Sequence, residues 1–197
     1  MVLTVLKKED KNRKEGFPIF CYGDTMSDKM KKILKEYLPY VLILVIVIII
    51  KMYVVTPAMV EGSSMDPTLK DGDVMILNRL AYKNKEIKRF DIVVIHDHDT
   101  NIIKRVIGLP GERVEFKNNK LYINGKIVKE SFNHAETEDF NIKELGSTKV
   151  PKDSYFVVGD NRVNSLDSRS IGFIPKKEIK GKTSLTIIPF NRFGTKK

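Results

Sequence analysis

The chain has one cysteine, Cys21, in 197 residues, which excludes an intramolecular disulfide and a cysteine-built zinc site. Histidine is nearly as scarce, with only His96, His98 and His134. His96-Asp97-His98 is the one grouping with metal-ligand character, but its setting in HDHDTN, residues 96–101, reads as an exposed loop or hairpin tip. No metal and no other cofactor is expected. A basic stripe with interleaved aromatics is also missing, although the net charge is +10. Residues 1–36 carry nine Lys and Arg against six Asp and Glu, and the other charges are mixed in sign, so no nucleic-acid partner is expected. The chain has no internal repeats. With 42% apolar and 30% charged residues it has the composition of a folded protein, which excludes wholesale disorder.

What the chain does have, near its front, is a long apolar run. Residues 38–50, LPYVLILVIVIII, are uninterrupted, and after Lys51 the run resumes as MYVV to Val55. As a helix, the stretch 37–55 is ~28 Å long, about one bilayer hydrocarbon core. Its many β-branched Ile and Val suit lipid better than a soluble helix. A cleavable leader is disfavoured by the 36 residues ahead of the run and by Pro57 within Thr56-Pro57-Ala58. The expectation is therefore a single N-terminal transmembrane anchor at 37–55. Lys29, Lys31, Lys32 and Lys35 precede the run, while the twenty residues after it hold only Lys70. That bias leaves segment 1–36 in the cytoplasm and puts residues 56–197 outside. Residues 1–29 read as a disordered tail, or as lying ahead of a physiological start at Met26 or Met30.

Beyond Val55 the helical period almost vanishes. Short apolar runs recur between turns: VMIL at 74–77, FDIVVI at 90–95, IIKRVIG at 102–108, RVEF at 113–116, KLYI at 120–123, KIV at 126–128 and SYFVVG at 154–159. Asn124-Gly125 between two of them predicts a two-residue hairpin turn. The fold class is mainly β, an antiparallel sheet system folded against itself to protect its edges. Residues 131–149 show no pattern and read as a surface loop or insertion.

Three segments can carry chemistry. VEGSSMDPTLKDGD, residues 60–73, places Ser63 and Ser64 in a turn. Composition alone leaves them as turn residues or as a nucleophile; a nucleophilic Ser64 has its own backbone N–H at hand for an oxyanion. In the second segment, the alternation of IIKRVIG forces Lys104 or Arg105 out of an apolar strand face. Such a lysine either snorkels at a sheet edge or, desolvated, acts as a general base. At an ordinary pKa of about 10.4, only about one lysine in 2,500 is neutral at pH 7, so desolvation has much to supply. A serine paired with that lysine needs no histidine. The third segment is VVGDNRVNSLDSRSIGFIP, residues 157–175, where Asp160, Arg162, Asp167 and Arg169 are spaced to lock a loop and Ser165 to orient an amine.

Together these residues resemble the bacterial type I signal peptidases, membrane-anchored Ser/Lys proteases. GSSMDPTL is similar to the family's nucleophile box, KRVIGLPGE to its general-base box and GDNRVNSLDSR to its Gly-Asp-Asn-Arg box. The likeness runs from the anchor through PFNRFG and omits residues 1–29. It implies an antiparallel β-sheet catalytic domain, with Ser64 as nucleophile, Lys104 as base and Ser165 assisting the lysine. It also implies that Asp167 and Arg169 support the loop and that the Ser64 N–H serves the oxyanion. The implied substrates are secretory preproteins, cut after a small-x-small motif outside the cytoplasmic membrane. Membrane lipid is then a partner, and proximity to the translocation machinery a further expectation. Three departures stand out: Gly62 replaces a hydroxyl donor that some relatives carry, Phe90 stands in a frequent Arg-Gly-Asp, and Val163 replaces a frequent Asp. The last is expected to loosen the Arg-Asp clamp. Self-cleaving repressor-type proteases share the chemistry but carry DNA-binding domains instead of an anchor. A membrane-tethered β-domain acting only as a binding module would be indifferent to loss of Ser64 or Lys104.

Overall fold

The computed structural model describes residues 25–53, 55–97 and 100–196. Most of segment 1–29, together with Cys21, Val54, His98 and Asp99, lies outside them. A 29-residue helix, α1 (Thr25–Tyr53), covers most of the apolar run and contains Pro39. Its Met, Lys, Leu and Glu residues favour helix early, before the Ile/Val-rich half takes over. From Met30 to Ile49 its large apolar side chains are all 44–67% exposed. Among the described residues no helix is long and apolar enough to cross a membrane; the side chains of 50–55, the end of the expected anchor, are outside the description.

Among the described residues twelve strands follow: β1 (Val55–Met59), β2 (Val74–Asn78), β3 (Ile92–Asp97), β4 (Thr100–Gly108), β5 (Val114–Lys117), β6 (Lys120–Ile123), β7 (Lys126–Val128), β8 (Phe140–Asn141), β9 (Ser154–Val158), β10 (Ile174–Pro175), β11 (Ile179–Ile188) and β12 (Gly194–Thr195). They form two antiparallel sheets, β1-β2-β11-β3-β4-β9-β10 with β12 on β11, and β7-β6-β5-β8. A short helix, α2 (Ser168–Ile171), lies between β9 and β10. Every short apolar run singled out beyond Val55 falls on a strand. The Asn124-Gly125 turn has φ of 52° and 79°, as a type I′ hairpin requires. Within HDHDTN, His96 pairs with Asn101 and Asp97 with Thr100, while His98 and Asp99 lie outside the described residues.

The mainly β expectation holds, but the longest strand was not legible. β11 sits between β2 and β3, yet its buried positions are Gly181, Thr183 and Thr186 rather than large aliphatics. Small residues are needed there, since a Cβ on Gly181 would run into the Asn78 carbonyl of β2. Segment 131–149 is also corrected. It is no mere surface loop, because Phe140 and Ile142 enter the core and Asn141 and Glu144 form a reciprocal helix cap.

Side chains of the two sheets share one apolar layer. Ile107, Phe156 and Val158 meet Val114, Phe116, Leu121 and Ile123, with Phe140 stacked 5.5 Å from Phe156. A second cluster, including Val93, Val106 and Val157, packs the large sheet. The third is small: Val60, Met65, Leu69, Met75 and Ile92 support the serine turn. Each large aliphatic or aromatic side chain so buried contributes ~1.5–3 kcal/mol.

Candidate active site

The serine loop begins where β1 ends and is closed at its base by two backbone bonds. Val60 donates to the Asp73 carbonyl at 2.8 Å, and Gly72 to the Val60 carbonyl at 2.9 Å. Gly62 takes φ +83°, a left-handed conformation that favours glycine, and its N–H donates to Asp71 Oδ1 at 2.8 Å. Met65 and Leu69, 1% and 0% exposed, plug the third core cluster. Those anchors leave Ser64 half-buried at the loop surface. Its N–H has no acceptor among the described residues, so it is free to meet a developing oxyanion.

Lys104 lies in β4 opposite Val93, and its residue is only 3% exposed. Its Nζ is 2.8 Å from Ser64 Oγ. Burial holds the ammonium below the ordinary lysine range, while the Asp167 carboxylate pulls the other way. The strand therefore delivers a cation to an apolar wall with a hydroxyl as its hydrogen-bond partner. A neutral amine in that place accepts the serine proton across the same contact.

The third segment wraps the turn from the other side. Asn161 N–H donates to the Ser64 carbonyl at 3.1 Å, and Asn161 Nδ2 to the Ser63 carbonyl at 3.1 Å. Asn164 Nδ2 reaches Ser63 Oγ at 3.1 Å, which gives the second serine a holding role. Gly159 packs so tightly that a Cβ there would overlap both the Ser64 carbonyl oxygen and Ser165 Oγ. Asp167 accepts from the Gly159 N–H at 3.0 Å, caps α2 and pairs with Arg169 at 2.9 Å. Arg169 also donates to the Arg162 carbonyl at 2.7 Å.

The expected loop charges do not form one closed cluster. Asp160 pairs instead with Arg105 of β4 at 2.6 Å, both side chains being 0% exposed. Arg162 is held by Glu130 at 2.5 Å and by Thr137 Oγ1 at 2.7 Å. Val163 is 76% exposed. Ser165 Oγ is buried with no hydrogen-bond partner among the described residues, and it makes no bond to Lys104.

Several supports escaped the sequence reading. Phe132 lies under the Arg105 guanidinium at 3.8 Å, and Phe90, at φ +70°, accepts an Arg105 hydrogen bond at 3.0 Å. Arg192, in PFNRFG, bridges to Asp73 at 3.0 Å and to the Thr68 carbonyl at 3.1 Å, pinning the serine loop from the C-terminal side. Being the one charge inside PFNRFG was its only advance signal. Beside Ser64 and Lys104 opens a cleft of about 310 Å³, lined also by Met59, Val60, Glu61 and residues 100–103. No cluster of potential metal ligands occurs among the described residues.

Known proteins give this geometry a class. The chain is an enzyme, a serine endopeptidase. Residues 33–188 match the family described as signal peptidase, peptidase S26, and the chain belongs to that family. It is 40% identical over 166 residues to a signal peptidase I of Bacillus caldolyticus, covering 79% of this chain and 91% of that one. It is 41% identical over 175 residues to a signal peptidase I of Bacillus licheniformis, covering 84% and 94%. Signal peptidase IB of Staphylococcus aureus is 39% identical over 180 residues, covering 83% and 94%. A crystal structure of a signal peptidase I from Enterococcus faecalis, 37% identical, covers 50% of this chain and 97% of its own at a TM-score of 0.47.

Proposed function

We propose that this protein removes signal peptides from secretory preproteins at the outer face of the cytoplasmic membrane, cutting after a small-x-small motif with a Ser64/Lys104 dyad. The 2.8 Å contact between Lys104 Nζ and Ser64 Oγ, made by a buried lysine, carries this reading. Neutral Lys104 takes the hydroxyl proton as Ser64 Oγ attacks the scissile carbonyl. The Ser64 N–H receives the oxyanion of the tetrahedral intermediate. The resulting ammonium returns its proton to the leaving amine as the C–N bond breaks. Water, deprotonated by the same amine, then hydrolyses the acyl-enzyme and releases the signal peptide's new carboxylate.

The cleft favours an extended substrate. β4 pairs with β3 from Thr100 onward, but with β9 only from Arg105, so residues 100–104 keep a second edge beside the cleft. A peptide added there gains backbone hydrogen bonds of any sequence, and the side-chain walls set specificity. Met65, Ile102 and Ile103 crowd the space next to Ser64, which favours small residues at the bond.

The 37–55 run acts as the anchor in this reading, leaving 1–36 in the cytoplasm and 56–197 outside. Its long stretch of exposed apolar side chains, together with the lysines before it, supports that role. Confinement to the plane of the substrate raises the effective concentration. Cleavage of a preprotein with an Ala-x-Ala site tests the function: the wild type releases the mature chain and Ser64→Ala does not. Full activity in Ser64→Ala or Lys104→Ala overturns the dyad. Protease added to spheroplasts should digest the C-terminal domain; its protection overturns the topology.

A further inference from the structure

Ser64 and Lys104 are held by separate parts of the molecule. Lys104 is fixed by the large sheet, where β4 pairs with β3. Ser64 belongs to a loop, its carbonyl tied to the Asn161 N–H at 3.1 Å, while Asn161 Nδ2 holds the Ser63 carbonyl. The placement of Asn161 therefore bears directly on the reach of Ser64 Oγ to Lys104 Nζ. Both chain neighbours of Asn161 are fixed by one segment, residues 130–137, which follows β7. On one side the Ala135 N–H donates to the Asp160 carbonyl at 3.0 Å, and Phe132 covers Arg105, the partner of the Asp160 carboxylate. On the other side Glu130 meets the Arg162 guanidinium with both oxygens, at 2.5 and 3.5 Å. Thr137 Oγ1 accepts from Arg162 Nη1 at 2.7 Å. The segment is itself anchored, because the Thr137 N–H donates to Asn119 Oδ1, in the turn between β5 and β6, at 2.9 Å.

We propose that Glu130 is a positioning residue for the cleavage reaction: it fixes Arg162, thereby Asn161, and so keeps Ser64 Oγ within reach of Lys104 Nζ. The inference rests on the peptidase reading above and deepens it. The Arg162 and Glu130 side chains are 0% and 6% exposed, and Glu130 is the carboxylate that Arg162 meets among the described residues. The guanidinium also lies 5.2 Å over the Phe116 ring, an apolar setting in which an unpaired charge is costly. Without Glu130 it must turn toward water, and the backbone beside it carries Asn161 along. Lys104 does not follow, since the sheet holds it. A misplacement of about 1 Å in a reacting pair can cost about 100-fold in rate. None of residues 130–137 lines the cleft at Ser64, so the effect falls on the chemical step and not on substrate binding.

Steady-state cleavage of an Ala-x-Ala preprotein by the full-length protein in detergent, with thermal unfolding measured alongside, tests this. Glu130→Gln keeps the shape and removes the charge, so kcat should fall about 10- to 100-fold with KM within about twofold of wild type. The rising limb of kcat/KM against pH should stay in place, because burial and Asp167, not Glu130, shift the Lys104 ammonium. If Glu130→Gln does not fold, Thr137→Val decides: it keeps the carboxylate and should show the same split at about three- to tenfold. Ile123→Val, a core change in the small sheet, controls for general loosening and should lower Tm while leaving kcat near wild type. An unchanged kcat, a rise in KM alone, a limb that moves, or an equal loss of kcat in Ile123→Val overturns this inference and leaves the peptidase reading intact. A wild type that cleaves nothing overturns the peptidase reading, and this inference with it.

Discussion

Two neighbouring residues of one strand, Lys104 and Arg105, are both buried cations, and the molecule treats them in opposite ways. Arg105 is fully satisfied: Asp160 grips it with two bonds of 2.7 and 2.6 Å, Phe90 accepts a third, and Phe132 covers the guanidinium face. Lys104 donates one hydrogen bond, to Ser64 Oγ, and touches no carboxylate among the described residues. A charge that is neutralised in place stays charged and builds structure. One that is desolvated without a partner is driven toward its neutral form, which is what a general base requires. One face of β4 therefore holds the loops together, and the other carries the proposed base.

The sharpest way to break that comparison is to remove each group in turn. Ser64→Ala and Lys104→Met should each lower kcat/KM by about 10⁴- to 10⁶-fold in the preprotein assay. Lys104→Met should also be more stable than wild type at neutral pH in denaturant titrations. The sign follows from the depressed lysine. Where folded and unfolded states differ in protonation, the folded state binds fewer protons, so the wild-type penalty is full below the folded pKa and fades as pH rises toward ~10.4. The stability gap between the variant and wild type should accordingly close with rising pH. Arg105→Met should do the opposite, destabilising by ~3–5 kcal/mol because it leaves Asp160 buried and unpaired. Replacing both partners together, Arg105→Met with Asp160→Leu, should recover much of that loss. If Arg105→Met unfolds no more easily than wild type, the contrast fails.

Gly159→Ala probes the contact between the two sides. The new methyl overlaps the Ser64 carbonyl, so a loss of ~1–3 kcal/mol is expected, with a fall in kcat larger than any change in KM. The smallest effect is expected from Asp167→Asn. Asp167 raises the lysine pKa against the lowering by burial, so removing its charge should move the rising limb of kcat/KM against pH to lower pH. A limb that moves up, or a wild-type profile flat from pH 6 to 10, contradicts the assigned base.

Much of this was legible in the chain itself. The strands with large aliphatics, β2 to β7 and β9, announced themselves by pattern, as did the hairpin at Asn124-Gly125. β11 did not, because a strand squeezed between two others at close range is built from Gly181 and threonines rather than from an apolar alternation. The site residues were legible as separate motifs, while their partners were not. Asp160 read as one of four charges locking its own loop, with Arg162 two residues on in GDNR, yet it closes on Arg105, 55 residues earlier. Glu130 and Phe132 sit in or beside a segment without pattern because their contacts to Arg162 and Arg105 are long-range and irregularly spaced, and such contacts leave no periodicity.

By itself, the sequence determined the nature of the chain: a mainly β peptidase with an apolar N-terminal run, one serine box and one lysine box. Local order suffices for that, since alternation, turn chemistry and motif spacing are short-range properties. Which of two adjacent cations is neutralised, and how Ser63 and the asparagines hold the Ser64 turn, were decided only by the tertiary structure. Protonation depends on what burial brings within a few ångströms, and those groups come from strands and loops up to 101 residues apart in the chain.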